Sequence, residues 1–315
     1  KDGISTAVIE ASSHGIAQNR ISGLNISHAI FTNLTQDHLD YHQDLATYAQ
    51  VKQRLFSLPN VKSVVLNKDD EHYSDFLNAA KGKKISSYSL ADFEAIKTTE
   101  HGFLLTLNNY IFELGFLGKF NLLNILAALN GVIAIGFDAT KIIPLLQKLT
   151  PPTGRMHKIK EQLIWVDYAH TPDALTNALS TLKSHYPAYK IRVLFGCGGN
   201  RDQDKRAKMG KIACDLADNI ILSNDNPRGE DADLIIAKIV SGIGDSCQFD
   251  IVKDRQLAIE TAVITLKDDE CLLIAGKGHE TTQQFADKTI KSNDREIVKA
   301  AIIEGARLKL LKNRQ

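Results

Sequence analysis

Several common site signatures are missing from this 315-residue chain. It has no Gly-x-x-x-x-Gly-Lys-[Ser/Thr] loop, and so no phosphate cradle of that type. The absence of His-Glu-x-x-His removes a zinc-protease reading, and the absence of Gly-x-Gly-x-x-Gly removes an NAD reading. The four cysteines, Cys197, Cys214, Cys247 and Cys271, are scattered, with no Cys-x-x-Cys. That pattern offers neither a zinc site nor a disulfide framework, and it leads us to expect reduced thiols in a cytoplasmic protein. Aromatic residues make up only 7%, the net charge is +1 and no basic stripe is present, so neither nucleic acid nor membrane is expected as a partner. No apolar run is long enough to span a bilayer, and no secretory pattern opens the chain.

The hydrophobic content of 43% is ordinary for a globular protein, and the length allows about two domains of roughly 100–200 residues each. Pro151-Pro152-Thr153-Gly154-Arg155 is a stiff connector that places the boundary, giving domains 1–150 and 151–315. In the first domain, the apolar run Ile4 to Ile9 predicts a buried parallel strand ending at Glu10. A helix is expected over Leu45–Leu58, stopped by Pro59, and another from Gly118-Lys119-Phe120-Asn121 to about Ile135. A strand is expected at Ser63–Leu66, edge strands or hairpins between Ile85 and Leu114, and a short helix over Asp138–Leu149. In the second domain, strands at Leu163–Val166, Ile191–Phe195, Asn219–Leu222, Phe249–Val252 and Cys271–Ala275 alternate with helices. Those helices lie near Pro172–His185, Asp202–Leu216, Ala232–Gly242, Arg255–Leu266 and Asp294–Leu311. The alternation predicts an α/β fold, with a Rossmann-like parallel sheet covered on both faces and ligands at the carboxyl ends of its strands.

Polar residues concentrate where such sites belong. Asp37, His38, Asp40 and His42 crowd together within Phe31 to Lys52. Burying them unpaired would cost on the order of several kcal/mol each, so they need a ligand, a metal or water. On spacing alone, a solvated loop capping the next helix is the favoured way to satisfy them. Glu10, at a strand end, could hold magnesium or simply face water. Ser12 and its small neighbours let an anion approach closely. Asn121 could cap its helix, Arg155 is a hinge cation, and Asp167 and His170 close a loop in which Thr171 and Pro172 start a helix. Arg201, after the glycines of Gly196-Cys197-Gly198-Gly199, can clamp a carboxylate or pair with Asp202 or Asp204. Asp225 and Arg228, within Asp225-Asn226-Pro227-Arg228, offer an anion for an ammonium and a cation for a carboxylate, the pairing a zwitterionic amino acid requires. Lys277 and His279 could be loop residues in water.

Three of these runs carry a family resemblance. They are Thr-Asn-Leu-Thr-Gln-Asp-His-Leu-Asp-Tyr-His, Asp-Asn-Pro-Arg and Gly276-Lys277-Gly278-His279-Glu280. Together with Glu-x-Ser-Ser-His-Gly they resemble the Mur ligases, the ATP-dependent peptide ligases of peptidoglycan synthesis, and most closely the members that add meso-diaminopimelate. The resemblance implies a partial central ATPase-type domain followed by a Rossmann-like ligase domain. It also implies an enzyme that joins meso-diaminopimelate to UDP-N-acetylmuramoyl-L-alanyl-D-glutamate through an acyl phosphate, with ATP as co-substrate and magnesium.

By the same resemblance, Glu10, His38 and a carbamylated Lys52 serve the metal and catalysis, and Ser12, Gln18 and Arg20 bind the nucleotide peptide. Asn121, Asn124, Arg155, Asp167 and His170 face ATP. Arg201, Asp225, Asn226, Pro227, Arg228, Gly276 and Glu280 select diaminopimelate. Thr153 departs mildly from the family, which often has Pro or Ala there. The family also places a phosphate loop upstream of the first strand seen here. We therefore expect a monomeric chain that starts inside the central domain and does not run the ATP chemistry alone. An amino-acid-binding module without turnover is the alternative of another class. A folylpolyglutamate synthetase shares the architecture, but the Asp-Asn-Pro-Arg and Gly-Lys-Gly-His-Glu runs speak against it.

Overall fold

The computed structural model describes residues 3, 6–159 and 162–312. In chain order the elements are α1 (Ser13–Ala17), β1 (His28–Phe31), α2 (Leu39–His42), α3 (Leu45–Gln53), β2 (Ser63–Asn67), α4 (Tyr73–Ala79) and β3 (Lys84–Tyr88). Next come β4 (Ala95–Thr99), β5 (Gly102–Leu107), β6 (Tyr110–Leu114), α5 (Lys119–Ala134), α6 (Ala139–Ile142), β7 (His157–Lys158), β8 (Ile164–Asp167), α7 (Pro172–His185) and β9 (Lys190–Phe195). The chain closes with α8 (Asp204–Leu216), β10 (Asn219–Leu222), α9 (Ala232–Val240), β11 (Phe249–Ile251), α10 (Arg255–Ile264), β12 (Glu270–Ala275), β13 (Thr282–Gln284), β14 (Thr289–Lys291) and α11 (Asp294–Lys312). They form two compact units, one of residues 1–93 with 122–145 and one of 94–121 with 146–315.

In the first unit β1, β2 and β3 form a parallel sheet. Every residue of β2 is buried. Val64, Leu66 and Phe31 pack with Phe56 and Phe76, and Phe31 stacks on Phe76 at 3.8 Å between ring centres. The strand expected over Ile4–Ile9 does not form where it can be followed. Ile4 and Ser5 lie outside the described residues, and Thr6–Glu10 has no regular structure, with Val8 92% and Ile9 52% exposed. A lone parallel strand has no hydrogen-bond partners of its own, and β1 pairs only with β2 among the described residues. The helix expected to reach Leu58 ends at Gln53.

The second unit holds a six-stranded sheet in the order β11-β10-β9-β12-β8-β7, parallel except for the short β7 edge. Successive strand residues point to opposite faces. Trp165, Val193, Phe195, Ile220, Leu222 and Leu273 therefore pack under α7, α8 and α9. Ile164, Val166, Leu194, Ile221, Leu272 and Ile274 pack under α10 and α11. Each fully buried large aliphatic side chain contributes about 1.5–3 kcal/mol, so this two-sided core holds the strand tips firmly. Helix α7 starts where Thr171 caps Ala174 and Pro172 presets the first turn, and Leu175, Ala178, Leu179 and Leu182 form its buried face. An antiparallel β4-β5-β6 sheet belongs to the same unit. There His185 Nδ1–H donates to Thr99 O at 2.7 Å and the Tyr186 hydroxyl donates to Glu100 O at 2.7 Å.

The expectation of four reduced cysteines is corrected. Cys214 in α8 and Cys247 before β11 form a disulfide with Cα atoms 5.7 Å apart, while Cys197 and Cys271 are free and buried. Their sequence separation of 33 residues forms no motif; the packing of α8 on the α9–β11 connection brings them together.

Candidate active site

Strand tips β8, β9, β10 and β12 present the second unit's polar loops on one side of the sheet, the side where open α/β sheets bind ligands. Asp225 follows β10 and is buried, and no described residue donates a hydrogen bond to its carboxylate. Burial raises its pKa, while the Arg255 and Lys277 charges pull the other way. A Cβ at Gly276 would stand 2.6 Å from Asp225 Oδ2, so only glycine lets the β12 loop come this close.

Beside it Lys277, 0% exposed, donates to Glu280 at 2.9 Å, to Asn226 Oδ1 at 3.2 Å and to Thr282 O at 2.6 Å. Asn226 Nδ2 donates to the same Glu280 oxygen at 2.9 Å. Desolvation pushes Glu280 upward, but the bonds from Asn226 and Lys277 outweigh it and hold its pKa below the ordinary value. Lys277 is thus no loop residue in water, whereas His279 is exposed.

Arg228 is half-buried in a left-handed conformation, φ 53°. Its Nη1–H donates to Gly199 O at 2.9 Å and its Nε–H to Gln284 Oε1 at 3.3 Å. Burial and then the nearby Arg201 guanidinium lower its pKa, against the pull of Asp225 and Glu280. Arg201 itself is exposed and donates to Asn200 O at 3.0 Å. The structure thus gathers Asp225, Asn226, Arg228, Gly276 and Glu280, with Arg201 at the rim and Pro227 within the turn. Gln283 was not legible beforehand: its side-chain amide donates to Asp225 O at 2.7 Å and fixes that turn.

The expected nucleotide residues divide. Asp167 is buried and accepts from Met156 N at 2.6 Å and Ala169 N at 2.8 Å, yet burial still raises its pKa. His170 Nδ1–H donates to Tyr168 O at 2.8 Å, and exposed Arg155 lies over the Tyr168 ring at 4.7 Å. Gly154, φ 73°, packs so tightly on the backbone of Gly278 and His279 that a Cβ would overlap it. Asn121 reaches back to Leu117 O at 2.8 Å rather than capping its helix, and Asn124 is exposed on α5.

In the first unit Ser12 caps α1 by accepting from Gly15 N at 3.1 Å. Arg20 donates to Gln18 at 2.5 Å, and Gln18 to the Tyr41 hydroxyl at 3.3 Å. His38 takes a left-handed conformation, φ 56°, beside Asp37, with the His14 ring centre 4.9 Å away. Lys52 lies over the Tyr48 ring at 5.4 Å, and burial lowers its pKa against the pull of Glu10 and Asp37, which favours the neutral amine. The same two carboxylates, after burial, help push Tyr48 up to about 12. Among the described residues no three His, Cys, Asp or Glu side chains form a group that could hold a metal ion. Glu10 and Asp37 are the carboxylates whose charge acts on Lys52; carboxylate oxygen is the donor type a magnesium ion takes, one or two at a time, while keeping most of its water.

Residues 1–132 match the family model described as Mur ligase middle domain, and residues 154–278 match Mur ligase, glutamate ligase domain. The chain is 39% identical to the UDP-N-acetylmuramoyl-L-alanyl-D-glutamate--2,6-diaminopimelate ligase of Rickettsia bellii (strain RML369-C), covering 97% of this chain and 67% of that one. It is 38% identical to the same-named ligase of Nostoc sp. (strain PCC 7120 / SAG 25.82 / UTEX 2576), covering 97% and 65%. The chain thus spans about two thirds of the length of these relatives. A solved structure of a ligase of that name superposes with a TM-score of 0.57 at 37% identity, covering 94% of this chain and 64% of that one. A folylpolyglutamate synthase of Mycobacterium tuberculosis superposes with a TM-score of 0.66 at 18% identity, covering 81% and 61%, which is a likeness of fold alone.

Proposed function

The chain belongs to the Mur ligase family, and from that premise we propose that it is the catalytic and amino-acid-selecting part of an ATP-dependent ligase of peptidoglycan synthesis. The reaction adds meso-diaminopimelate to UDP-N-acetylmuramoyl-L-alanyl-D-glutamate. ATP phosphorylates the D-Glu side-chain carboxylate, the diaminopimelate amine attacks the acyl phosphate, and the amide, ADP and phosphate leave. The observation that carries this reading is the buried Asp225 carboxylate, which accepts no hydrogen bond from a described residue and whose charge acts on the half-buried Arg228 guanidinium, with Arg201 beside Arg228.

Asp225 takes an ammonium of the amino acid, Arg228 and Arg201 take a carboxylate, and Asn226, Pro227, Gly276 and Glu280 shape the pocket between them. Ser12, Gln18 and Arg20 hold the nucleotide peptide. Asn121, Asn124, Arg155, Asp167 and His170 hold ATP. Catalysis of this type is mainly positioning and charge neutralisation. The neutral Lys52 amine can add carbon dioxide and release a proton, giving a carbamate. That carbamate, with Glu10 and His38, would hold magnesium, whose charge offsets the phosphates when bound. We further propose a cytoplasmic monomer whose partners are these small molecules; no described helix is long and apolar enough to cross a membrane.

Calorimetry with meso-diaminopimelate and L-lysine tests the reading. Lysine lacks the distal carboxylate, so the native chain prefers diaminopimelate, and Arg228→Ala removes most of that preference by weakening diaminopimelate alone. Equal affinity of the native chain for both amino acids would refute it.

A further inference from the structure

The two turns that carry Arg201 and Arg228 are locked together by a part-buried ion pair outside the binding pocket. Arg206, 0% exposed in the first turn of α8, donates to Glu230 at 2.6 and 2.7 Å and to Gly198 O at 3.3 Å. The same Glu230 carboxylate accepts the Asn200 N–H at 3.0 Å, and Asn200 Oδ1 accepts the Gly229 N–H at 3.0 Å. Gly199 N–H donates to Asn226 O at 2.9 Å, and a Cβ on Gly199 would overlap the Pro227 carbonyl. Asn200 and Arg228, one on each side of this seam, both adopt left-handed backbone, φ 52° and 53°. Such conformations cost energy for residues other than glycine and persist where surrounding bonds impose them. The forked geometry of a guanidinium on a carboxylate fixes direction as well as distance.

We propose that Arg206 and Glu230 are positioning residues, whose ion pair sets the spacing and aim of Arg201 and Arg228 and so the selectivity for a diamino diacid. This rests on the amino-acid reading above, but the pair can be tested apart from it. Neither residue is assigned to touch substrate.

Two measurements on the full chain decide the matter. In Glu230→Gln, which keeps size and loses charge, hydrogen exchange at the Gly199, Asn200 and Gly229 amides accelerates by roughly tenfold to a hundredfold, as loss of charge-assisted bonds predicts, while the β12 amides do not change. The ratio of affinities for meso-diaminopimelate and L-lysine falls by about tenfold or more, which a merely structural role would leave constant because both ligands would weaken alike. Arg206→Lys, which keeps the charge without the fork, provides the second variant and gives the same pattern at smaller amplitude. Unchanged exchange at these amides overturns the proposal. Faster exchange with an unchanged ratio also overturns it, since the pair would then hold the turns without setting the site. If the native chain binds neither amino acid, the amino-acid reading falls and the selectivity role of the pair falls with it, even where faster exchange shows that the pair holds the two turns.

Discussion

Replacing Asp225 by Asn separates what this carboxylate does for folding from what it does for binding. In the free protein it is buried with no described hydrogen-bond donor, and its pKa is raised by that burial. A carboxyl group whose folded pKa exceeds the unfolded value near 3.9 binds more protons when folded, so it lowers stability once the pH rises above that value. At pH 7 the neutral amide should leave the thermal midpoint unchanged or raise it. Binding should move the other way. Losing one partner of a desolvated charge pair costs about 2–5 kcal/mol, or roughly 30-fold to several-thousand-fold in Kd. Calorimetry with meso-diaminopimelate reads the second effect and differential scanning calorimetry the first. A variant that binds as well as the native chain, or that melts several degrees lower, would refute the reasoning: the carboxylate would then be either idle or already paired.

Lys277→Met should destabilise the second unit by about 3 kcal/mol, because it strips three acceptors of a buried donor, and this lowers the thermal midpoint by roughly 6–12 °C. A midpoint within about 2 °C of the native value would contradict the burial. The pKa of His185 is lowered by burial, against the pull of its bond to Thr99, and those of His42 and His157 are also lowered, by burial first. A histidine whose folded pKa is depressed favours folding fully above about 6.5, and that contribution is lost as the pH falls through its folded value. Thermal midpoints should be flat from pH 8 to 7 and fall between about 6.5 and 5, with a smaller fall in His185→Gln; equal curves for the two proteins would remove His185 from the account.

Elements whose signals are local were readable from the chain. Helix α7 has its Thr-Pro start and a Leu/Ala stripe, and β10 is a short apolar run between polar ends; both occupy the residues expected. What depends on distant partners was not readable. The apolar run ahead of Glu10 has the composition of a strand, but a strand exists only against a neighbour. Lysine seldom leaves water, so the burial of Lys277 follows from Asn226, Glu280 and Thr282 converging on it. Cys214 and Cys247 meet because α8 packs on the α9–β11 connection, which spacing does not encode. The amino-acid pocket was named through its motif, but the Arg206–Glu230 seam behind it has no linear pattern at all.

The seam between residues 198–201 and 226–230 sets a rule for re-engineering. With backbone on backbone at Gly199 and Pro227, a donor sequence grafted into one turn would meet a foreign wall in the other. A transplant intended to change which amino acid is accepted must therefore move both turns as a single cassette, together with the α8 arginine that fastens them.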